Sequence, residues 1–148
     1  MQAHLKCKLC LLALALVTSL RDVTLFQIYG EKRMEENNIL KALVNGLEDR
    51  KAEDTEVIDI REISPVADYF VIATGLSPNH LKAMRDTVEE VMFKAGIHEK
   101  SIEGTQKSAW ILMDYGDIVV HIMSKEERQF YGLERIWNDG KIINPLEI

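Results

Sequence analysis

Residues 109–124 read AWILMDYGDIVVHIMS. Two runs of apolar and β-branched side chains, 109–114 and 118–124, flank a turn at or beside Tyr115-Gly116, so the stretch predicts a β-hairpin. Side chains alternate along a strand. Trp110, Leu112 and Asp114 therefore share one face of the first run, and Ile111 and Met113 the other. Ser124 ends the second run and opens a helix: with Glu127 it makes an S-x-x-E capping box. Phe130, Leu133, Ile136 and Trp137 are the expected inward stripe of that helix.

Upstream, residues 100–103 form a short extended piece closed by a turn at Gly104. Before it, Ser77 is a natural N-cap and Pro78 suits the first helical position, with Leu81, Met84, Val88, Val91, Met92 and Ala95 as the stripe and Gly96 as the stop. Residues 68–74 (DYFVIAT) are a continuous apolar run, the pattern of a central strand covered on both faces. Residues 55–60 (TEVIDI) read as another strand. Ile39, Leu40, Leu43, Val44 and Leu47 mark one side of a first helix over about 35–50. Hairpin and crossover connections both occur, so the expected fold is one α/β (α+β) domain: a mixed sheet with helices packed on its faces.

The chain has 148 residues, 47% hydrophobic and 28% charged, with net charge −6. This is ordinary globular composition. Residues 1–33 hold five of the 18 basic groups and two of the 24 acidic ones, which leaves 34–148 with 13 basic and 22 acidic, a balance of −9. A body this acidic repels a phosphate backbone, and no concentrated basic run offsets it. Any connection to nucleic acid is expected to pass through a basic protein partner.

Residues 9–20 (LCLLALALVTSL) follow Lys6 and Lys8. The run is too short to span a bilayer, and its cleavage site is a poor match to a secretory signal. It reads as a targeting segment, an extra helix, or sequence upstream of the functional start. The last is favoured because Met34 opens an acidic, helix-forming stretch, giving a 1–33 extension and a 34–148 domain. Cys7 and Cys10 with His4 are a lone half-site, a weak zinc signal.

Catalytic patterns are sparse. Neither a P-loop nor a dinucleotide G-x-G-x-x-G is present. The strand–Gly75-Leu76-Ser77–helix succession is similar to the opening of a nucleotidyltransferase-type fold, but the paired carboxylates that would hold metal ions on the next strand are missing: only Glu103 is there. Asp114 and Asp117 read as turn formers. His121, inside an apolar strand, reads as a hydrogen-bonded core or sheet-edge residue. Trp110 and a Tyr beside Asp114 and Asp117 fit an aromatic anchor with an acidic rim, or, for Trp110, plain core. Glu126, Glu127, Arg128, Glu134 and Arg135 read as a solvated helix face.

Residues 51–54 (KAED), 67–75 (ADYFVIATG), Glu103-Gly104, 110–121 (WILMDYGDIVVH) and 131–137 (YGLERIW) together resemble the Iojap / ribosomal silencing factor (RsfS) family. The resemblance runs from about Glu35 to Trp137 and leaves 1–33 without a counterpart. It implies a nucleotidyltransferase-like fold without transferase activity, needing no cofactor or metal. It implies binding to the large ribosomal subunit through ribosomal protein L-fourteen, blocking small-subunit joining and repressing translation in the cytoplasm, or in an organelle of a eukaryote. By motif position, Trp110, Leu112, Asp114 and Tyr115 would face the partner, with Glu103 and Arg128 as rim contacts. Direct nucleic-acid or membrane binding is not expected. The alternatives are a transferase-like enzyme using the Gly75–Ser77 turn and a patch that pairs with a second copy.

Overall fold

The apolar run at 68–74 becomes β2 (Tyr69–Gly75), buried at all seven positions. Its neighbour β5 (Ile118–Ser124) runs parallel to it, with Tyr69 opposite Ile118 and Gly75 opposite Ser124. The structure, a computed structural model, describes residues 35–105, 107–144 and 147. The 1–33 extension with Cys7 and Cys10, like Met34, lies outside the described residues.

Six strands order as β3-β4-β5-β2-β1-β6. β1 (Glu53–Asp59) lies antiparallel to β2, β4 (Trp110–Asp114) antiparallel to β5, and β3 (Ser101–Glu103) antiparallel to β4. β1 starts two residues before the expected 55–60 strand, at the expense of a register shift between Glu53 and Glu56. β6 (Lys141–Ile143) pairs with β1 and was not foreseen, because three residues at an edge carry no readable period.

One sheet face packs on α1 (residues 35–49) and α2 (Pro78–Lys94). Leu40, Leu43 and Leu47 of α1 and Leu81, Met84, Val88 and Met92 of α2 join Tyr69, Val71, Ala73, Ile111, Met113, Val120 and Ile122 in one core. The stripes fall where the 3.6-residue period puts them. Each large side chain buried there contributes roughly 1.5–3 kcal/mol. Ser77 caps α2 as expected, its hydroxyl accepting the His80 N–H at 3.2 Å, with Pro78 at the first turn. Gly75 lets α2 approach the strand: a Cβ there would meet Leu81 Cδ2 at 2.6 Å.

The other face is covered thinly. Ile58, Ile60, Ala67, Phe70, Ile72, Val119, Met123 and Leu133 form its core, with Trp110, Leu112 and Trp137 half-buried against it. The expected third helix is two pieces, α3 (Lys125–Tyr131) and α4 (Leu133–Ile136), divided by Gly132 at φ 53. That left-handed residue shifts the helical phase. Leu133 goes inward and Trp137 follows in part, but Phe130 and Ile136 are 78% and 66% exposed, correcting the expected stripe. Among the described residues no helix is long and apolar enough to cross a membrane.

Candidate functional site: an aromatic hollow on the thinly covered face

The hairpin and the cap together place the site. β4 pairs with β5 so that Trp110 lies opposite Met123, one residue before Ser124. The Ser124 hydroxyl accepts the Glu127 N–H at 3.3 Å, which fixes where α3 begins. Two turns of α3 then carry Tyr131 over Trp110, with ring centroids 4.7 Å apart and planes tilted 51°. On the far side, Glu103 of β3 is in register with Leu112 of β4. Ser108 holds the intervening loop: its hydroxyl accepts the Thr105 N–H at 2.8 Å and lies 2.9 Å from the Trp110 carbonyl.

The result is a hollow of about 290 Å³ lined by Glu103, Gly104, Ser108, Trp110, Leu112, Glu127 and Tyr131. Among the described residues its lining has two carboxylates and no cation. The Trp110 Nε1–H is buried and finds no acceptor among the described residues. The core residue Tyr115 likewise has a buried hydroxyl without a partner among the described residues.

Aromatic rings continue the hollow in both directions. Tyr131 meets Phe130 edge to face at 5.1 Å; Trp110 lies 5.9 Å from His121, which meets Phe70 edge on at 5.1 Å, and Phe70 meets Trp137 at 5.1 Å. His121 is therefore a core residue in an interior strand, as the sequence suggested, but neither ring nitrogen is hydrogen-bonded. Burial pushes its pKa down to about 4, so at neutral pH it is an uncharged flat spacer beneath the indole.

Of the six residues expected to meet a partner, Glu103, Trp110 and Leu112 converge here. Asp114 does not: its Oδ1 accepts the Gly116 N–H at 2.8 Å and shapes the hairpin turn. Tyr115 corrects the expectation most plainly. It is 6% exposed and belongs to the α1/α2 core, because positions 111, 113 and 115 share a face. Burial, with Glu89 and Glu99 nearby, pushes its phenol up to about 12. Arg128 is also withdrawn from the hollow, its side chain 11% exposed. It donates to the Asp54 carbonyl and to Thr74 Oγ1 (2.9 Å), and pairs with Glu134 (2.5 Å) and Glu56 (3.7 Å). Arg128 is thus an internal tie across β1, β2 and α4, and the expected solvated face of α3 is solvated only in part.

Sequence reading missed Glu127 and Tyr131. The signal was present: one capping box fixes the helix start at the end of β5, and positions 127 and 131 are one helical turn apart on the same side.

The Gly75–Ser77 turn is occupied by its own chain. The Leu76 N–H donates to His80 Nδ1 at 3.0 Å, the Ser77 hydroxyl caps α2, and His80 Nε2 lies 2.7 Å from the Arg50 carbonyl. Gly75 makes room for the Leu81 side chain.

Comparison with known proteins bears on the family. A family model described as "Ribosomal silencing factor during starvation" matches residues 33–147. The chain is 38% identical over 109 residues to the ribosomal silencing factor RsfS of Bacillus subtilis, covering 74% of this chain and 92% of that one. It is 30% identical over 111 residues to the chloroplastic protein Iojap of Zea mays, covering 72% of this chain and 45% of that protein. A crystal structure of a protein from Chromobacterium violaceum superposes with a TM-score of 0.65 at 32% identity, covering 68% of this chain and 84% of that one. A mixed sheet of this order, the hairpin of residues 110–124 and a match over nearly all of the described residues converge on one assignment: the chain belongs to the ribosomal silencing factor (RsfS) family.

Proposed function

We propose that the chain silences translation by setting its aromatic hollow on a basic surface of ribosomal protein L-fourteen, so that the bound factor obstructs joining of the small subunit. The observation that carries this reading is the convergence of Trp110, Tyr131 and Leu112 between the Glu103 and Glu127 carboxylates. Aromatic anchors in a concave, partly dry setting are the usual centre of binding energy, and acidic rims select basic partners. The −9 balance of residues 34–148 works in the same direction, favouring a basic protein over bare RNA. Steric exclusion needs no bond-making chemistry, so no catalytic residue is assigned. The working location follows the ribosome, in the cytoplasm or an organelle.

Co-sedimentation with purified large subunits tests the reading. Trp110→Ala combined with Tyr131→Ala should weaken binding by roughly thirtyfold or more, equivalent to about 2 kcal/mol, with the far-ultraviolet circular dichroism spectrum retained. Unchanged binding by the folded double variant would refute the hollow as the docking site.

A further inference from the structure

β2 and β5 are the parallel pair of the sheet, and the chain leaves their carboxyl ends in opposite directions. After β2, α2 packs on the face holding Val71 and Ala73; after β5, Leu133 of α4 packs on the face holding Phe70 and Ile72. A crevice of about 610 Å³, a size ordinary for a small-molecule site, lies on the α3/α4 side, between Thr74 of β2, Asp54 and Glu56 of β1 and the two short helices. It is separate from the aromatic hollow and from the Gly75–Ser77 turn.

Its chemistry is mixed in an informative way. Arg128 on its wall is committed to Glu134, Glu56 and Thr74, and so is not available to a ligand without breaking that tie. Lys125 and Arg135 also line it, are exposed, and make no ion pair among the described residues. Asp54 lines it as well. It sits where β1 slips register on β2, at φ 47, a left-handed conformation that Asp tolerates. Two cations without an ion pair and a carboxylate in one lining suit a ligand that is anionic at one end and rich in hydroxyl groups at the other. A carboxylate accepts from sugar hydroxyls, while ammonium and guanidinium groups take phosphate oxygens.

We propose that this crevice binds a phosphate ester of a ribose ring, with Lys125 and Arg135 on the phosphate and Asp54 on the sugar hydroxyls. The amides of Gln129 and Asn138, on the same lining, add hydrogen bonds for whatever the ribose carries. A free sugar phosphate and a nucleotide share this chemistry.

Titration calorimetry on the full chain separates the outcomes, using ribose 5-phosphate, adenosine 5′-monophosphate and inorganic phosphate as probes. Saturable single-site binding of a ribose ester, at least roughly tenfold tighter than inorganic phosphate, supports the site. Tighter binding of the nucleotide than of ribose 5-phosphate assigns a nucleotide; equal binding assigns a sugar phosphate. Lys125→Ala with Arg135→Ala, both at exposed positions, should weaken ester binding roughly tenfold or more while the thermal midpoint stays put. Asp54→Asn, which retains a side chain tolerant of positive φ, should weaken the esters and leave inorganic phosphate unchanged. No saturable heat with either ester at millimolar concentration, or ester binding unaltered in the folded double variant, overturns the proposal.

Discussion

The two faces of the sheet are built to different standards. The face under α1 and α2 is closed: Leu40, Leu47, Val71, Met84, Val88, Ile111 and Met113 are each at or within 1% of zero exposure. The face under α3 and α4 is closed only by two short helices, and leaves Trp110, Leu112 and Trp137 half-buried with an unpaired indole N–H. Apolar side chains a residue apart on one strand thus meet different surroundings. Ile111 is fully buried in the α1/α2 core, and Trp110 stays half-buried at the rim of the hollow. Exposed apolar side chains occur on both sides, Phe93 of α2 among them at 72%, but only on the thinly covered face do several aromatic and aliphatic side chains line one hollow.

The sharpest way to break that contrast is to truncate neighbours on β4. Ile111→Ala should lower unfolding stability by about 2–5 kcal/mol, measured by urea denaturation, and Trp110→Ala by distinctly less. Equal losses would mean the indole is plain core. Next in size is a pH effect. Burial holds the folded His121 imidazole at about 4 against its usual 6.5, so the unfolded chain takes up the proton first. Stability is therefore full above about pH 6.5 and declines as pH falls toward 4, by roughly 3 kcal/mol in all. Urea midpoints across that window check the slope, and His121→Phe should flatten it.

Smaller effects sharpen the boundary between hollow and crevice. Arg128→Met should cost about 1–2 kcal/mol, because it strands Glu134 and Glu56 beside Thr74, the partly exposed carboxylates limiting the loss. Binding to large subunits should be nearly unchanged, since Arg128 lies outside the hollow. Ser124→Ala removes the cap on α3 and should lower stability by about 1 kcal/mol. It should also weaken subunit binding, because Tyr131 is placed by that cap.

The closed face was readable in advance because its determinants are periodic. The stripes on α1 and α2, the unbroken run of β2 and the Ser77-Pro78 start all reflect local rules that the packing then obeyed. The open face was less legible for equally physical reasons. Gly132 breaks a phase that a helical stripe assumes to continue, so Phe130 and Ile136 were assigned inward. β6 is too short to show alternation. Alternation did contain the fate of Tyr115, since it follows Ile111 and Met113 by twos, but its neighbours Asp114 and Gly116 drew it into the turn and thus toward the surface. Arg128 was misjudged because its partners Asp54, Glu56 and Thr74 lie far away in sequence, on two other strands. The hollow itself was half visible: the strand residues Trp110 and Leu112 were, while the helix residues Glu127 and Tyr131 depend on how α3 folds back over β4.

The most direct test of the docking claim uses the indole itself. The chain has two tryptophans, so Trp137→Phe leaves Trp110 as the sole reporter. Acrylamide quenching of its fluorescence would be measured with and without purified ribosomal protein L-fourteen. Strong protection of Trp110 on complex formation is the predicted result; a complex that forms while its quenching stays unchanged would contradict the account.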